Sequence, residues 1–86
     1  MEIVVGDLLT VEGEKYITLE VLSYENNSYA FVNKVTSDEE ITDEYYIFKV
    51  VDDGIKIVVE ENLRNTLIPK FQEMLQKDMK NILKNE

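Results

Sequence analysis

The chain has no cysteine, histidine or tryptophan, and it has only one proline and three glycines. Without cysteine it forms neither a disulfide framework nor a thiolate metal site. Without histidine it lacks the usual metal ligand and the usual general base. These absences exclude Ser-His-Asp and Cys-His catalysis. Aspartate and glutamate are then the groups left for acid–base chemistry.

Long hydrophobic runs are also missing. No segment approaches the roughly 20 apolar residues that span a bilayer. The start, Met1–Asp7, lacks the basic and apolar regions of a signal peptide. We therefore expect a soluble, cytoplasmic protein without membrane contact. A length of 86 residues with 44% hydrophobic content predicts one ordered domain over residues 1–86.

Acidic charge is abundant and unevenly distributed. The chain carries a net charge of −9, with 15 acids against 4 bases in residues 1–62 and 3 acids against 5 bases in residues 63–86. An anionic surface disfavours direct binding to a phosphate backbone. The acidity serves solubility, or it forms an anionic face for a basic partner.

Residues 45–60 predict a β-hairpin, because Asp53-Gly54 is flanked by alternating apolar residues. With Asp53-Gly54 as the two-residue loop, Val50 faces Ile57 and Phe48 faces Val59 on an apolar face. The opposite face is mixed, as expected for a sheet with one core side.

Further strands precede this hairpin. The sequence predicts strands at 8–11 and 16–22, and a turn at Asn26-Asn27 that sets Tyr24 opposite Tyr29 and Leu22 opposite Phe31. Regular alternation in the second strand places Ile17, Leu19 and Val21 on one face and Tyr16, Thr18 and Glu20 on the other. Both faces of this hairpin are partly apolar, which favours a strongly coiled sheet that wraps towards a partly open barrel.

After residue 60 the hydrophobic period becomes helical. The stripe consists of Leu63, Leu67, Phe71, Leu75, Met79 and Ile82, widened by Ile68, Met74 and Leu83. Asn62 is the expected cap, and Lys77, Lys80 and Lys84 suit the last turns. Pro69 leaves two arrangements open: a helix over 61–84 that kinks there, or a short turn at 62–67 before a main helix. The expected fold class is α+β: about five antiparallel strands (1–60) packed by this helix.

The acidic segment from Ser37 to Glu44 is expected to be a mobile loop between strands. It lacks the spaced ligands and central glycine of an EF-hand, so no metal residue is assigned. Asp52-Asp53 is interpreted as turn chemistry rather than as a catalytic pair. No catalytic or cofactor-binding residue is assigned. The candidate partner-binding residues are Asp38, Glu39, Glu40, Asp43, Glu44 and Tyr45.

Three segments carry a family resemblance: Gly6–Tyr16, Tyr45–Glu60 and Leu67-Ile68-Pro69-Lys70-Phe71. Together they resemble small acidic β-rich proteins of Gram-positive bacteria and their phages, among them a domain family of unknown function. The resemblance implies a bacterial or phage origin, a cytosolic location and no known catalytic or binding residue.

Three functional hypotheses follow. The first is a non-enzymatic accessory protein, monomeric or homodimeric, that binds a protein partner through its sheet face or an edge strand. The second is an anionic mimic that occupies the basic groove of a nucleic-acid-binding protein. The third is an enzyme that uses carboxylates, which we rank last.

Overall fold

Five strands and one helix make up the domain. The structure is a computed structural model that describes the backbone of residues 2–84 and the side chains of residues 2–78. The elements are β1 (Leu8–Val11), β2 (Glu14–Tyr24), β3 (Asn27–Val35), β4 (Ile41–Val51), β5 (Gly54–Ile57) and α1 (Glu61–Lys84). The strands form an antiparallel meander in the order β1-β2-β3-β4-β5 and curl into a half-barrel. The expected α+β meander with a C-terminal helix is confirmed.

The sheet buries apolar side chains on both of its faces. The curled inner face holds what we call the concave core: Ile3, Tyr16, Ala30, Val32 and Phe48. The outer face is covered by α1 and holds the helix-side core: Tyr29, Ile47, Val58, Leu67 and Phe71. Leu67 and Phe71 are both essentially inaccessible, so α1 is anchored through its middle turns.

A β-bulge in β2 decides which side chains reach each core. Thr18 pairs with Val32 and Glu20 pairs with Phe31, so Leu19 is an extra residue on β2. The alternation expected from the sequence is therefore wrong beyond Leu19. The inner face carries Tyr16 and, after the bulge, Val21. Glu20 is turned to the helix side.

The hairpin registers differ from expectation by two residues. In β4–β5, Val50 pairs with Ile55 and Phe48 with Ile57, and the turn is Asp52-Asp53. In β2–β3, Leu22 pairs with Tyr29 around a Glu25-Asn26 turn, whose residues have φ of 49° and 66°. An even shift keeps each side chain on its face, so the hydrophobic pattern does not distinguish the two registers.

The acidic segment is more ordered than expected. Only residues 36–40 connect β3 to β4, because β4 already begins at Ile41. Within this turn the Thr36 amide donates to the Glu40 carbonyl at 2.9 Å, and the Glu39 amide donates to the Thr36 carbonyl at 2.8 Å. The Thr36 hydroxyl accepts from the Glu40 amide at 3.1 Å. The expectation of an unconstrained loop through Glu44 is wrong, because these bonds close the turn early.

A second irregularity lies at the start of β4. Asn33 pairs with Tyr45 and Val35 with Ile41, so three residues of β4 face one residue of β3. The buried Asn33 side chain donates to the carbonyls of Thr42 at 2.8 Å and of Glu44 at 3.0 Å. Asn33 thus supplies the donors that the interrupted ladder lacks.

Helix α1 runs as a single helix over Glu61–Lys84 with Pro69 inside it. The Glu60 carbonyl accepts the first helical bond, from the Arg64 amide at 3.0 Å. Glu60 therefore precedes the helix, and the expectation that Asn62 caps it is wrong because Asn62 already lies in the first turn. The expected stripe residues Met79, Ile82 and Leu83, and the lysines 80 and 84, have side chains outside the described residues.

Thr18 and Asn33 are both buried and polar, but their substitution should change the free energy of unfolding in opposite directions. The Thr18 hydroxyl is buried and, within residues 2–78, has no hydrogen-bond partner. Thr18→Val removes this group while conserving shape, so we expect the free energy of unfolding to rise by about 1 kcal/mol. Urea denaturation measures it. Thr10→Val, at an exposed position of β1, is the control, and an equal or larger gain there contradicts the explanation.

Asn33→Ala should have the reverse effect. The substitution leaves the carbonyls of Thr42 and Glu44 without their buried donor. We expect a loss of about 2–3 kcal/mol in urea denaturation. Asn27→Ala is the matched control, because the Asn27 amide makes one exposed bond of 3.3 Å to the Glu25 carbonyl. Equal losses in the two variants would show that the bulge does not depend on Asn33.

Candidate protein-binding surface at the free edge of β4

Strand β4 is longer than the strand that pairs with its outer side. β5 pairs with residues 48–51 of β4, and the last bond of this ladder runs from the Val58 amide to the Ile47 carbonyl at 2.8 Å. Backbone polar groups alternate in direction along a strand. The backbone carbonyl of Ile47 points towards β5. The backbone N–H and C=O groups of Tyr45 and Asp43 therefore lie on the same side of β4 as that carbonyl. Among the described residues no strand pairs with this side of β4 beyond Ile47, and we call the segment from Asp43 to Tyr45 the free edge.

A groove lies beside the free edge, between β4 and the first turns of α1. Two adjacent cavities of about 160 and 190 Å³ form it, and we call it the β4 groove. The residues common to both cavities are Tyr45, Tyr46, Ile47 and Arg64. One cavity continues to Phe31 and Ile68, and the other continues to Val58 and Val59. Most of the side chains that line the groove are apolar or aromatic, and Arg64 adds one cationic side chain from α1.

Stacked aromatic rings connect the groove to the helix-side core. Phe71 stacks on Phe31 with ring centroids 5.5 Å apart, and Phe31 stacks on Tyr45 at 5.5 Å with the planes only 6° from parallel. Tyr45 nevertheless remains 50% exposed. Its ring is held in place before any partner arrives, so little side-chain entropy is lost on contact.

Two further apolar side chains stand in solvent on either side of Tyr45. Val59 is 81% exposed, two residues after the end of β5, and Ile41 is 75% exposed at the start of β4. The register expected from sequence placed Val59 opposite Phe48 in the core, and that expectation is wrong because Ile57 takes that position. Exposed apolar residues of this kind make the surface around Tyr45 a candidate for contact with a partner.

The acidic residues named from the sequence fall into two places. Asp38, Glu39 and Glu40 lie exposed in the turn that precedes β4. Asp43 and Glu44 lie exposed at the start of β4 itself. Of the six candidate residues, only Tyr45 lines the β4 groove.

Glu44 belongs to a polar cluster with side chains of the neighbouring strands. Its carboxylate accepts a hydrogen bond from the Tyr46 hydroxyl at 3.1 Å. That bond and the Glu44 charge raise the pKa of Tyr46. The pKa of Lys34 is also raised, first by Glu14, which lies 3.6 Å from the ammonium, and then by Glu44.

Sequence reasoning missed Phe31, Arg64 and Val59 as parts of this surface. The predicted hairpin register places Val59 on the apolar face opposite Phe48, and the sequence assigns no site role to Phe31 or Arg64. A signal was available only for Val59. Asp52-Asp53 can also form the two-residue turn, and a hairpin closed there shifts the pairing by two residues. The last strand is then shorter, and Val59 lies outside its ladder. Arg64 has no comparable signal, because its position depends on how α1 crosses the sheet.

Within residues 2–78 no group of three or more His, Cys, Asp or Glu side chains is placed to hold a metal ion. Asp52 and Asp53 lie exposed in the β4–β5 turn. Over the described part of the chain, no helix has the length and apolar character that a membrane crossing needs.

Comparisons with known proteins add no functional information. No family model, curated protein or solved structure matches this chain. The resemblance to small acidic proteins of Gram-positive bacteria and phages therefore stays a prediction.

Glu44→Gln tests the polar cluster directly. Removal of the carboxylate should lower the pKa of both Tyr46 and Lys34, because Glu44 raises each of them. NMR titration of the Tyr46 ring and the Lys34 Cε resonance measures both shifts. Asp43→Asn, at the neighbouring exposed acid, is the control. Unchanged values for Tyr46 in the Glu44 variant would contradict the described hydrogen bond.

Proposed function

We propose that the domain is a non-enzymatic interaction module that binds an extended segment of a partner protein by strand addition to the free edge of β4. The observation that carries this proposal is the coincidence of two features. The side of β4 at Asp43 and Tyr45 has no paired strand among the described residues, and it lies beside a groove in which the Tyr45 ring is stacked on Phe31. In strand addition, main-chain hydrogen bonds supply affinity and side-chain pockets supply specificity.

The groove fits every second side chain of an added strand. Side chains of a β-strand alternate between the two faces of the sheet. A segment beside Asp43 and Tyr45 continues the line of β5, and its alternate side chains point to the helix side. There they meet Tyr45, Val59 and Arg64. The partner segment should thus carry apolar residues at alternate positions.

Charge selects further among such segments. The free edge is flanked by exposed acids: Asp43 on β4, and Glu60 and Glu61 at the start of α1. With a net charge of −9, the domain attracts a basic segment and repels an acidic one. We propose an accessory role of this kind in a bacterial or phage cytoplasm, in line with the resemblance of the sequence.

Selection from short random-sequence peptides tests the proposal without knowledge of the natural partner. We expect enriched peptides with alternate apolar residues and with Lys or Arg between them. Tyr45→Ala should weaken their binding about tenfold or more, because a buried aromatic anchor is lost, and Tyr45→Phe should retain it. Isothermal titration calorimetry with a selected peptide measures the dissociation constants.

Two exposed valines provide a matched control. Val59→Ala should weaken binding because Val59 lines the groove, and Val5→Ala should not, although both side chains are largely exposed. Equal affinity of Tyr45→Ala and the unchanged domain for every selected peptide would contradict the proposal. Binding that survives Tyr45→Ala but disappears when Glu39, Glu40, Asp43 and Glu44 are neutralised would instead favour the anionic mimic.

A further inference from the structure

Arg64 brings a positive charge to the β4 groove, and no described side chain pairs with that charge. It lines both cavities of the groove together with Tyr45 and Ile47, and its side chain is exposed. Within residues 2–78 no carboxylate forms an ion pair with Arg64, and the cation–π contact found there belongs to Lys70. The guanidinium group is thus solvated by water in the unbound domain.

The position of Arg64 in α1 does not favour the helix itself. Arg64 lies in the first turn, where the positive end of the helix dipole disfavours a cation. Glu60 and Glu61 precede it by one turn, a spacing at which acids commonly pair with a base. Among the described side chains, however, neither forms an ion pair with it. Helix stability gives no reason for an arginine here, whereas its place in the groove indicates a role in binding.

A segment that adds to the free edge removes water from this guanidinium. Alternate side chains of the added strand point to the helix side, where Tyr45 and Arg64 lie. A cation that loses its water without gaining a partner costs free energy. A carboxylate of the segment offsets this cost, because it accepts two parallel hydrogen bonds from a guanidinium. The helix side of the groove therefore favours one acidic residue next to the apolar ones.

The inner face of β4 carries the opposite charge at this place. Tyr46 packs edge to face on Tyr16 of the concave core, with ring centroids 5.7 Å apart. The exposed Glu44 carboxylate lies on the same face, where it accepts the 3.1 Å hydrogen bond from the Tyr46 hydroxyl. The intervening side chains of an added strand lie beside Glu44, and opposite charges on adjacent strands stabilise their pairing. The inner face therefore favours a basic residue.

We propose that Arg64 makes the β4 groove selective for an extended segment with three consecutive residues of defined character. These are an apolar residue at Tyr45, a Lys or Arg beside Glu44, and an Asp or Glu that pairs with Arg64. The selectivity rests on the strand addition proposed above and specifies the partner segment. Because Arg64 also shares a cavity with Val59, the acidic residue binds at the end of the free edge away from Asp43.

Peptides selected from a random-sequence library against the unchanged domain test the proposal. We expect an acidic residue two positions from an apolar one, with Lys or Arg between them. One such peptide is synthesised as selected and with its acidic residue replaced by the corresponding amide. Arg64→Gln and the amide peptide should each weaken binding about tenfold in isothermal titration calorimetry. Combined, they should weaken it little more than either alone, because both remove the same pair.

Two further variants separate a specific pair from a general effect of charge. Lys77→Gln removes one positive charge at an exposed position of the same helix outside the groove, so it should bind the acidic peptide as the unchanged domain does. Arg64→Lys keeps the charge but loses the paired donors, so it should retain only part of the affinity. Equal losses in Arg64→Gln and Lys77→Gln, or selected peptides without a recurring acid, overturn the proposal.

Tyr45→Ala distinguishes failure of this selectivity from failure of strand addition. If the selected peptides need Tyr45 but bind Arg64→Gln with unchanged affinity, strand addition stands and the role of Arg64 is overturned. If no selected peptide needs Tyr45, both are overturned.

Discussion

A small sheet that is apolar on both faces needs two covers, and this requirement shapes the whole domain. Curling brings β1 and β5 over the same inner core and closes one face, with Ile3 filling the interior. The single helix covers the other face through Leu67 and Phe71. Since a chain of this size builds only a limited core, neither cover is dispensable. The bulge at Leu19 serves this arrangement by exchanging which residues of β2 face each cover.

The free edge of β4 is a consequence of the same geometry. The chain has to leave the sheet soon after β5 in order to cross the outer face as α1, so β5 stops after four residues. The outer side of β4 beyond Ile47 is then left without a neighbour, and the first turns of the helix become one wall of the β4 groove. Cover for the core and one wall of the β4 groove thus come from one crossing of the chain.

Local patterns predict this fold well where they are regular. Alternation, turn residues and the helical period identify the meander and the C-terminal helix from sequence alone. They fail at Leu19 and at Asn33, where extra residues interrupt the ladder, because a bulge depends on pairing between distant segments. They also miss the hairpin registers by two residues, which preserves the faces but misplaces Val59. Of the candidate surface, Tyr45 and one flanking acid, Asp43, are named from the sequence. Phe31 and Arg64 require knowledge of how the helix crosses the sheet.

The acids beside the free edge also bear on how copies of the domain meet one another. An unpaired strand edge with exposed apolar residues is a template for edge-to-edge assembly of identical chains. Here every copy carries Asp43, Glu60 and Glu61 next to that edge. Identical molecules that approach edge to edge bring like charges together, whereas a different, basic polypeptide does not. The negative flanks therefore disfavour edge-to-edge assembly of identical copies, at concentrations where an uncharged edge would aggregate.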